Sequence, residues 1–240
     1  MTPRSHRPIG PTVAAGEVGW LTEAQMIEVD RIMIEDLHIE LIQMMENAGR
    51  HLATAAIDLA APSTATVLVG SGGNGGGGMV AARHLANRGV AVTVVLGKDR
   101  DRLGPVPAHQ LDIVERMGLP VLAEPPAADV VIDALIGYRL RGGPRGRIAE
   151  LIAAVPTIAP TAVALDTPSG LDVTDGSTPG VAVAADATVT LALPKVGLRH
   201  AAEVGELHVA DISVPPWVYE RIGAGPAPPF ERGPILTIGR

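Results

Sequence analysis

The sequence predicts an α/β fold, a three-layer α-β-α sandwich around a mostly parallel sheet. Three observations predict it. From residue 65 onward, short aliphatic runs alternate with longer helical stretches, as expected of strands covered on both faces by crossover helices. With two Trp, two Tyr and one Phe in 240 residues, the core has to be built from Ala, Val, Leu and Ile. A glycine-dense segment at 70–78 lies between a strand pattern and a helix pattern, where such sheets receive ligands. Together these describe a Rossmann-like domain, expected over 21–222, with two additional N-terminal helices.

The elements follow in order. Residues 1–20 carry Arg4, Arg7 and several Pro and Gly without the apolar run of a signal peptide, and read as a flexible leader. Thr22 and Gln25 form a capping-box pattern, followed by Met26, Val29, Ile32 and Met33 at helical spacing. A second helix is expected from Glu40 to about Ala60, stopped by Pro62, with Met44, Met45, Ala48 and Leu52 on its inner side. Strands are expected at 66–69, 91–96, 120–122, 130–132, 162–165, 187–191 and 207–209. Helices are expected near 79–88, 107–117 and 147–154. The Pro- and Gly-rich tail from Gly223 to the end is expected to be poorly ordered.

Composition excludes several classes of function. Nineteen Lys and Arg against 26 Asp and Glu leave a net charge of −7, which argues against nucleic acid as the main partner. No stretch is long and apolar enough for a membrane span. The absence of cysteine excludes disulfides, thiolate metal sites and cysteine nucleophiles, and fits a reducing, cytoplasmic compartment. Seven histidines are scattered without metal-ligand spacing.

Three candidate site segments fall at strand ends. The first is the loop Gly70-Ser71-Gly72-Gly73-Asn74-Gly75-Gly76-Gly77-Gly78 before a helix, where free N–H groups and the helix dipole favour a phosphate. It matches G-x-G-x-x-G formally but lacks the Lys-Ser/Thr ending of a P-loop. A floppy connection is the bland alternative. The second is Asp133, which follows a buried strand and reads as a mouth residue or a cap. After it comes a loop with Arg139, Arg141 and Arg145 suited to phosphate contacts, or simply solvated. The third is Leu165-Asp166-Thr167-Pro168-Ser169-Gly170, in which Pro168 and Gly170 fix a turn holding Asp166 and Ser169 toward the same mouth. Lys195, after another strand, is a candidate to aim its ammonium into the pocket. Asn74, Asp133 and Ser169 are hard oxygen donors without imidazole or thiolate, suited to a hard cation and not to zinc.

Taken together, the motifs resemble the NAD(P)H-hydrate epimerase family over roughly residues 20–222. The resemblance is carried by Met45-Glu46-Asn47-Ala48-Gly49-Arg50, the glycine loop with Asn74, Val80-Ala81-Ala82-Arg83-His84-Leu85, Asp133-Ala134-Leu135-Ile136-Gly137, Asp166-Thr167-Pro168-Ser169-Gly170-Leu171-Asp172, Pro194-Lys195 and Ala210-Asp211-Ile212. It implies an isomerase that interconverts the R and S forms of NADHX and NADPHX in the repair of nicotinamide cofactors. It further implies one K+ per subunit, held by Asn74, Asp133 and Ser169. Asp166 is implied as the substrate-contacting catalytic carboxylate, with Lys195 a second catalytic candidate. The substrate-binding residues implied are Gly73, Asn74, Gly75, Gly76 and Gly77, then Gly137, Tyr138, Arg139, Leu140, Arg141, Gly142 and Gly143. A homodimer and a separate NAD(P)H-hydrate dehydratase as functional partner complete the implication, with no nucleic-acid or membrane partner.

The chain departs from the family pattern at two points. The family's N-N-G-G-D-G is here Gly73-Asn74-Gly75-Gly76-Gly77-Gly78, and its F-G-T-G-L is here Ile136-Gly137-Tyr138-Arg139-Leu140. The rival readings are a diverged member acting on another small molecule, a non-catalytic nucleotide-binding protein, and a nicotinamide dehydrogenase. The last lacks the acid expected at the second strand's tip, where Leu96-Gly97-Lys98-Asp99 stands.

Overall fold

A computed structural model describes residues 9–239. One nine-stranded sheet runs through them: β1 (Thr12–Ala14), β2 (Thr64–Val69), β3 (Ala91–Leu96), β4 (Val121–Leu122), β5 (Val130–Ala134), β6 (Ala162–Leu165), β7 (Ala187–Leu191), β8 (Glu206–Ala210) and β9 (Ile235–Gly239). Its spatial order is β1-β9-β8-β7-β6-β5-β2-β3-β4. All neighbours are parallel except β8 and β9. The helices are α1 (Glu23–Arg31), continued by a π turn to Asp36, α2 (Leu41–Ala60), α3 (Gly73–Ala86), α4 (Pro105–Arg116), α5 (Arg147–Ile158) and α6 (Pro216–Arg221).

Local chemistry accounts for the first two helices. Thr22 and Gln25 form the predicted reciprocal cap of α1, each side chain meeting the other's backbone N–H. Glu40 and Gln43 repeat the device at α2. Central strands such as β5 and β6 are buried at every position and therefore lack polar alternation. The larger core lies on the face covered by α1 to α3, and a smaller one, built around Leu151, Ile152 and Val155, lies under α5.

Two expectations at the chain ends need correction. Residues 12–14 of the expected leader form β1, and 235–239 of the expected loose tail form β9, the two pairing in parallel with Val13 opposite Ile238. Val13, Leu236 and Ile238 are buried, so both segments are ordered by apolar burial that their Pro- and Gly-rich flanks obscure. Residues 1–8 of the expected leader and Arg240 lie outside the described residues. The glycine segment also differs from a loop. α3 begins at Gly73, so only 70–72 connect, and 73–78 are helical. Tertiary packing overrides the poor helix propensity of glycine there.

The β8–β9 seam carries a buried histidine. His208 is fully buried, with Nδ1 3.0 Å from Thr237 Oγ1 and Nε2 without a hydrogen-bond partner, 3.5 Å from Glu206. Burial pushes its pKa down to about 4. Between the unfolded value near 6.5 and about 4 the unfolded chain takes up a proton that the folded chain does not. Stability is therefore lost as pH falls through that window, by up to roughly 3 kcal/mol. His208→Gln should flatten this dependence. Urea melts at pH 7 and 4.5 check it, and parallel losses in the two proteins would refute it.

Candidate active site

The ends of β2, β5 and β6 meet at one cavity of about 470 Å³. Its walls include Ser71–Asn74, Leu135–Arg139 and Asp166, and Met26, Leu41, Met44 and Met45 make one side apolar. Gly137 marks the junction. A Cβ there would lie 3.3 Å from the Asn74 side-chain amide and 3.4 Å from Asp166 Oδ2, so a larger residue would crowd both.

Asp166 occupies the left-handed region, with φ +67, directly after β6. Aspartate tolerates this conformation better than most residues, and it turns the chain sharply enough for Thr167 N–H to donate back to Leu165 O. The carboxylate then faces two ways. Oδ1 is ion-paired with Lys195 Nζ and lies 3.4 Å from both Thr190 Oγ1 and Leu191 N. Oδ2 faces the cavity side, where Tyr138 N–H donates to it at 3.2 Å.

Lys195 does not aim into the cavity. It is fully buried behind Asp166, and its three N–H donors go to Asp166, Thr190 Oγ1 and Leu191 O. Its donors are all engaged inside the protein, and it clamps Asp166 Oδ1 from behind the cavity.

Asp133 and Ser169 meet, but behind the cavity and not at the mouth where the sequence placed them: neither lines it, and Asp133 lies within β5. Ser169 Oγ donates to Asp133 Oδ1 at 2.6 Å, and Ser169 N–H donates to Oδ2 at 2.7 Å. Ile136 N–H donates to Ser169 Oγ at 2.8 Å. Asp133 is fully buried, and desolvation pushes its pKa up to about 6 against these hydrogen bonds, with no cationic side chain among the described residues acting on it. Asn74, in the first turn of α3, donates from Nδ2 to Leu165 O at 3.2 Å.

The substrate-loop residues divide. Gly73, Asn74, Gly137, Tyr138 and Arg139 line the cavity. Gly75, Gly76 and Gly77 do not, because they are buried in packing contacts. A Cβ on Gly75 would fall 1.9 Å from Gly70 O, one on Gly76 2.8 Å from Val106, and one on Gly77 2.7 Å from Leu165. Leu140, Arg141, Gly142 and Gly143 line an adjoining cavity instead.

The sequence reading missed Asp30. It sits on α1, lines the cavity and accepts from Tyr138 OH at 2.6 Å, while Arg139 Nε donates to the same phenol oxygen at 2.8 Å. Burial raises the Asp30 pKa, and the Asp166 charge adds to it. The only sequence signal was an acid at a helix position beside buried Val29, which reads as solvated. Asp30 anchors the 137–139 loop, whose Tyr138 N–H in turn holds Asp166. Asp30→Ala is expected to cost about tenfold in kcat/KM for the reaction proposed below, the value of one lost charge-assisted hydrogen bond. Steady-state kinetics check this, and unchanged values would refute the anchoring role.

Comparison with known proteins decides the family. The family described as YjeF-related protein N-terminus matches residues 41–197. A protein of Dehalogenimonas lykanthroporepellens named NAD(P)H-hydrate epimerase is 46% identical over 221 residues, covering 88% of this chain and 89% of its own. The chain belongs to the NAD(P)H-hydrate epimerase family. A second protein of that name, from Rhodopirellula baltica, is 34% identical over 81% of this chain and 84% of its own. A Hyperthermus butylicus protein named bifunctional NAD(P)H-hydrate repair enzyme is 43% identical over 80% of this chain, which spans 38% of that protein. The crystal structure of yeast ynu0 superposes with a TM-score of 0.77 at 23% identity, covering 91% of this chain and 99% of its own, and so shares the epimerase-family fold. No helix among the described residues is long and apolar enough to cross a membrane.

Proposed function

We infer that this chain is an isomerase that interconverts the R and S forms of NAD(P)H hydrate, with Asp166 as its acid–base group. Family membership supports the activity. The observation that carries the chemistry is the split environment of Asp166: one oxygen clamped by buried Lys195, the other turned to a largely apolar cavity. In the hydrate, a hydroxyl sits on the ring carbon beside the ring nitrogen. With a proton taken up from solvent water on Asp166 Oδ2, the nitrogen lone pair forms a C=N bond as the C–O bond breaks, that proton lets the hydroxyl leave as water, and a flat iminium remains beside the restored carboxylate. Water adds to either face, the C=N pair returns to nitrogen, and the proton lost by the adding water returns to Asp166. The apolar wall of Met26, Leu41, Met44 and Met45 suits a flat ring. The first turn of α3, which no side chain caps, suits a phosphate. The test is chiral analysis of NADHX after incubation with the protein. Equilibration faster than in buffer supports the reading, and a rate equal to buffer overturns it.

Asn74, Asp133 and Ser169 are proposed to hold K+. A fully buried carboxylate with no cationic side chain among its described partners, hydrogen-bonded to the Ser169 hydroxyl, suits a hard monovalent ion, and the Asn74 amide oxygen would be a further donor of the same kind. The ion would balance the Asp133 charge and tie the ends of β2, β5 and β6 together. KCl is expected to raise the Tm by several degrees over LiCl at equal ionic strength, as mass action on a native-state site requires. Equal midpoints in the two salts would count against the site.

The reading extends to a homodimer in the cytoplasm, working with a dehydratase that consumes the S form. Bifunctional names among the relatives support the dehydratase partner. The exposed Ile27 and Ile34 on the N-terminal helical segment offer an apolar contact for a second copy.

A further inference from the structure

A second cavity, of about 390 Å³, adjoins the active site and shares Ile136, Arg139 and Ile148 with it. Its charged lining is wholly cationic: Lys98, Arg139, Arg141 and Arg145, with no acidic side chain. In a chain of net charge −7 this is a local inversion. The neighbouring groove, which Lys98 also borders, mixes Asp99, Asp101 and Glu124 with its arginines. Two of the four cations have acidic partners. Arg141 pairs with Glu23 at 2.7 Å, and Arg139 lies 3.6 Å from Asp30. Lys98 and Arg145 have no ion pair among the described residues, so their charge is available to a ligand.

The topology says which part of a ligand arrives there. β2, α3 and β3 form a parallel βαβ unit, with α3 opening beside the active-site cavity. Lys98 stands two residues past the end of β3, held against β2 by the Gly97 N–H bond to Val69 O. In dinucleotide-binding βαβ units the tip of that second strand meets the ribose 2′ position. An acid there suits a free hydroxyl, and a cation nearby suits a 2′-phosphate. This chain carries a cation.

We propose that the cavity of Lys98, Arg139, Arg141 and Arg145 is a phosphoryl subsite for the nucleotide end of the substrate, and that it takes the 2′-phosphate of NADPHX. The assignment rests on the epimerase reading only for the identity of the substrate, since phosphate recognition by this cavity is measurable without turnover.

Binding of 2′,5′-ADP and of 5′-ADP to the wild-type protein, Lys98→Ala, Arg145→Ala and the double variant is measured by calorimetry. The rates of NADPHX and NADHX epimerisation are measured in parallel. Tighter binding of 2′,5′-ADP is expected, weakened about tenfold by each substitution, with kcat/KM falling in proportion for NADPHX and little for NADHX. Equal losses for both substrates and both probes support the phosphoryl subsite but overturn the 2′ assignment, making the 5′-phosphoryl group that the two probes share the group bound. Unchanged binding of both probes in the double variant, with its thermal midpoint intact, overturns the subsite. If the wild type binds 2′,5′-ADP in this manner and no hydrate is epimerised, the subsite stands and the functional reading falls.

Discussion

Asp166→Asn is expected to lower kcat for hydrate epimerisation by about 10²- to 10⁴-fold, the contribution of a positioned acid–base group. Asparagine accepts the left-handed backbone at φ +67, and its carbonyl can still accept from Tyr138 N–H or Lys195. The ability to exchange a proton is removed, and with it the counter-charge of buried Lys195, so the fold of the variant has to be checked beside its rate. Rates of approach to R/S equilibrium, together with circular dichroism of the variant, check the expectation. A folded variant that equilibrates the hydrates at the wild-type rate would show that the proton travels by another group.

Lys195→Met should produce the largest stability loss. The side chain is fully buried and Asp166 nearly so, and removing the cation leaves a carboxylate in the interior without its counter-charge. Breaking a buried pair in this way costs about 3–5 kcal/mol. For a domain of this size that lowers the Tm by ~10 °C. Adding Asp166→Asn to Lys195→Met removes both charges, and part of the loss should return while activity stays absent. A structural lysine unrelated to Asp166 would instead give additive losses, so the double-mutant cycle separates the two cases.

Much of this architecture is legible from sequence because its signals are local. The cap at Thr22, the apolar face of α2 and the uninterrupted aliphatic runs of β5 and β6 each act within a few residues. Asp166 stands out for the same reason, as a carboxylate at the end of a buried strand, whereas Asp133 stands out equally but lies inside β5, buried against Ser169 instead of at the mouth. What escapes the sequence is decided by partners far along the chain. β1 is a three-residue strand that exists because β9 lies beside it, more than 200 residues later. Gly75 to Gly77 read as a loop, yet they are helical, and it is Gly70, Val106 and Leu165 that leave no room there for any side chain but hydrogen. Lys195 gives no local sign that Thr190, Leu191 and Asp166 will consume all its donors. Asp30 looks like an ordinary helix-surface acid until Tyr138 reaches it from 108 residues away.

A crystal structure of the protein soaked with NADPHX would show whether the reacting ring meets Asp166. The hydrated ring is expected against Met44 and Met45, with the ring hydroxyl within hydrogen-bond reach of Asp166 Oδ2 and the nucleotide end directed toward Arg139. A ring bound elsewhere on the molecule, or seated in this cavity with its hydroxyl turned away from Asp166, would contradict that expectation.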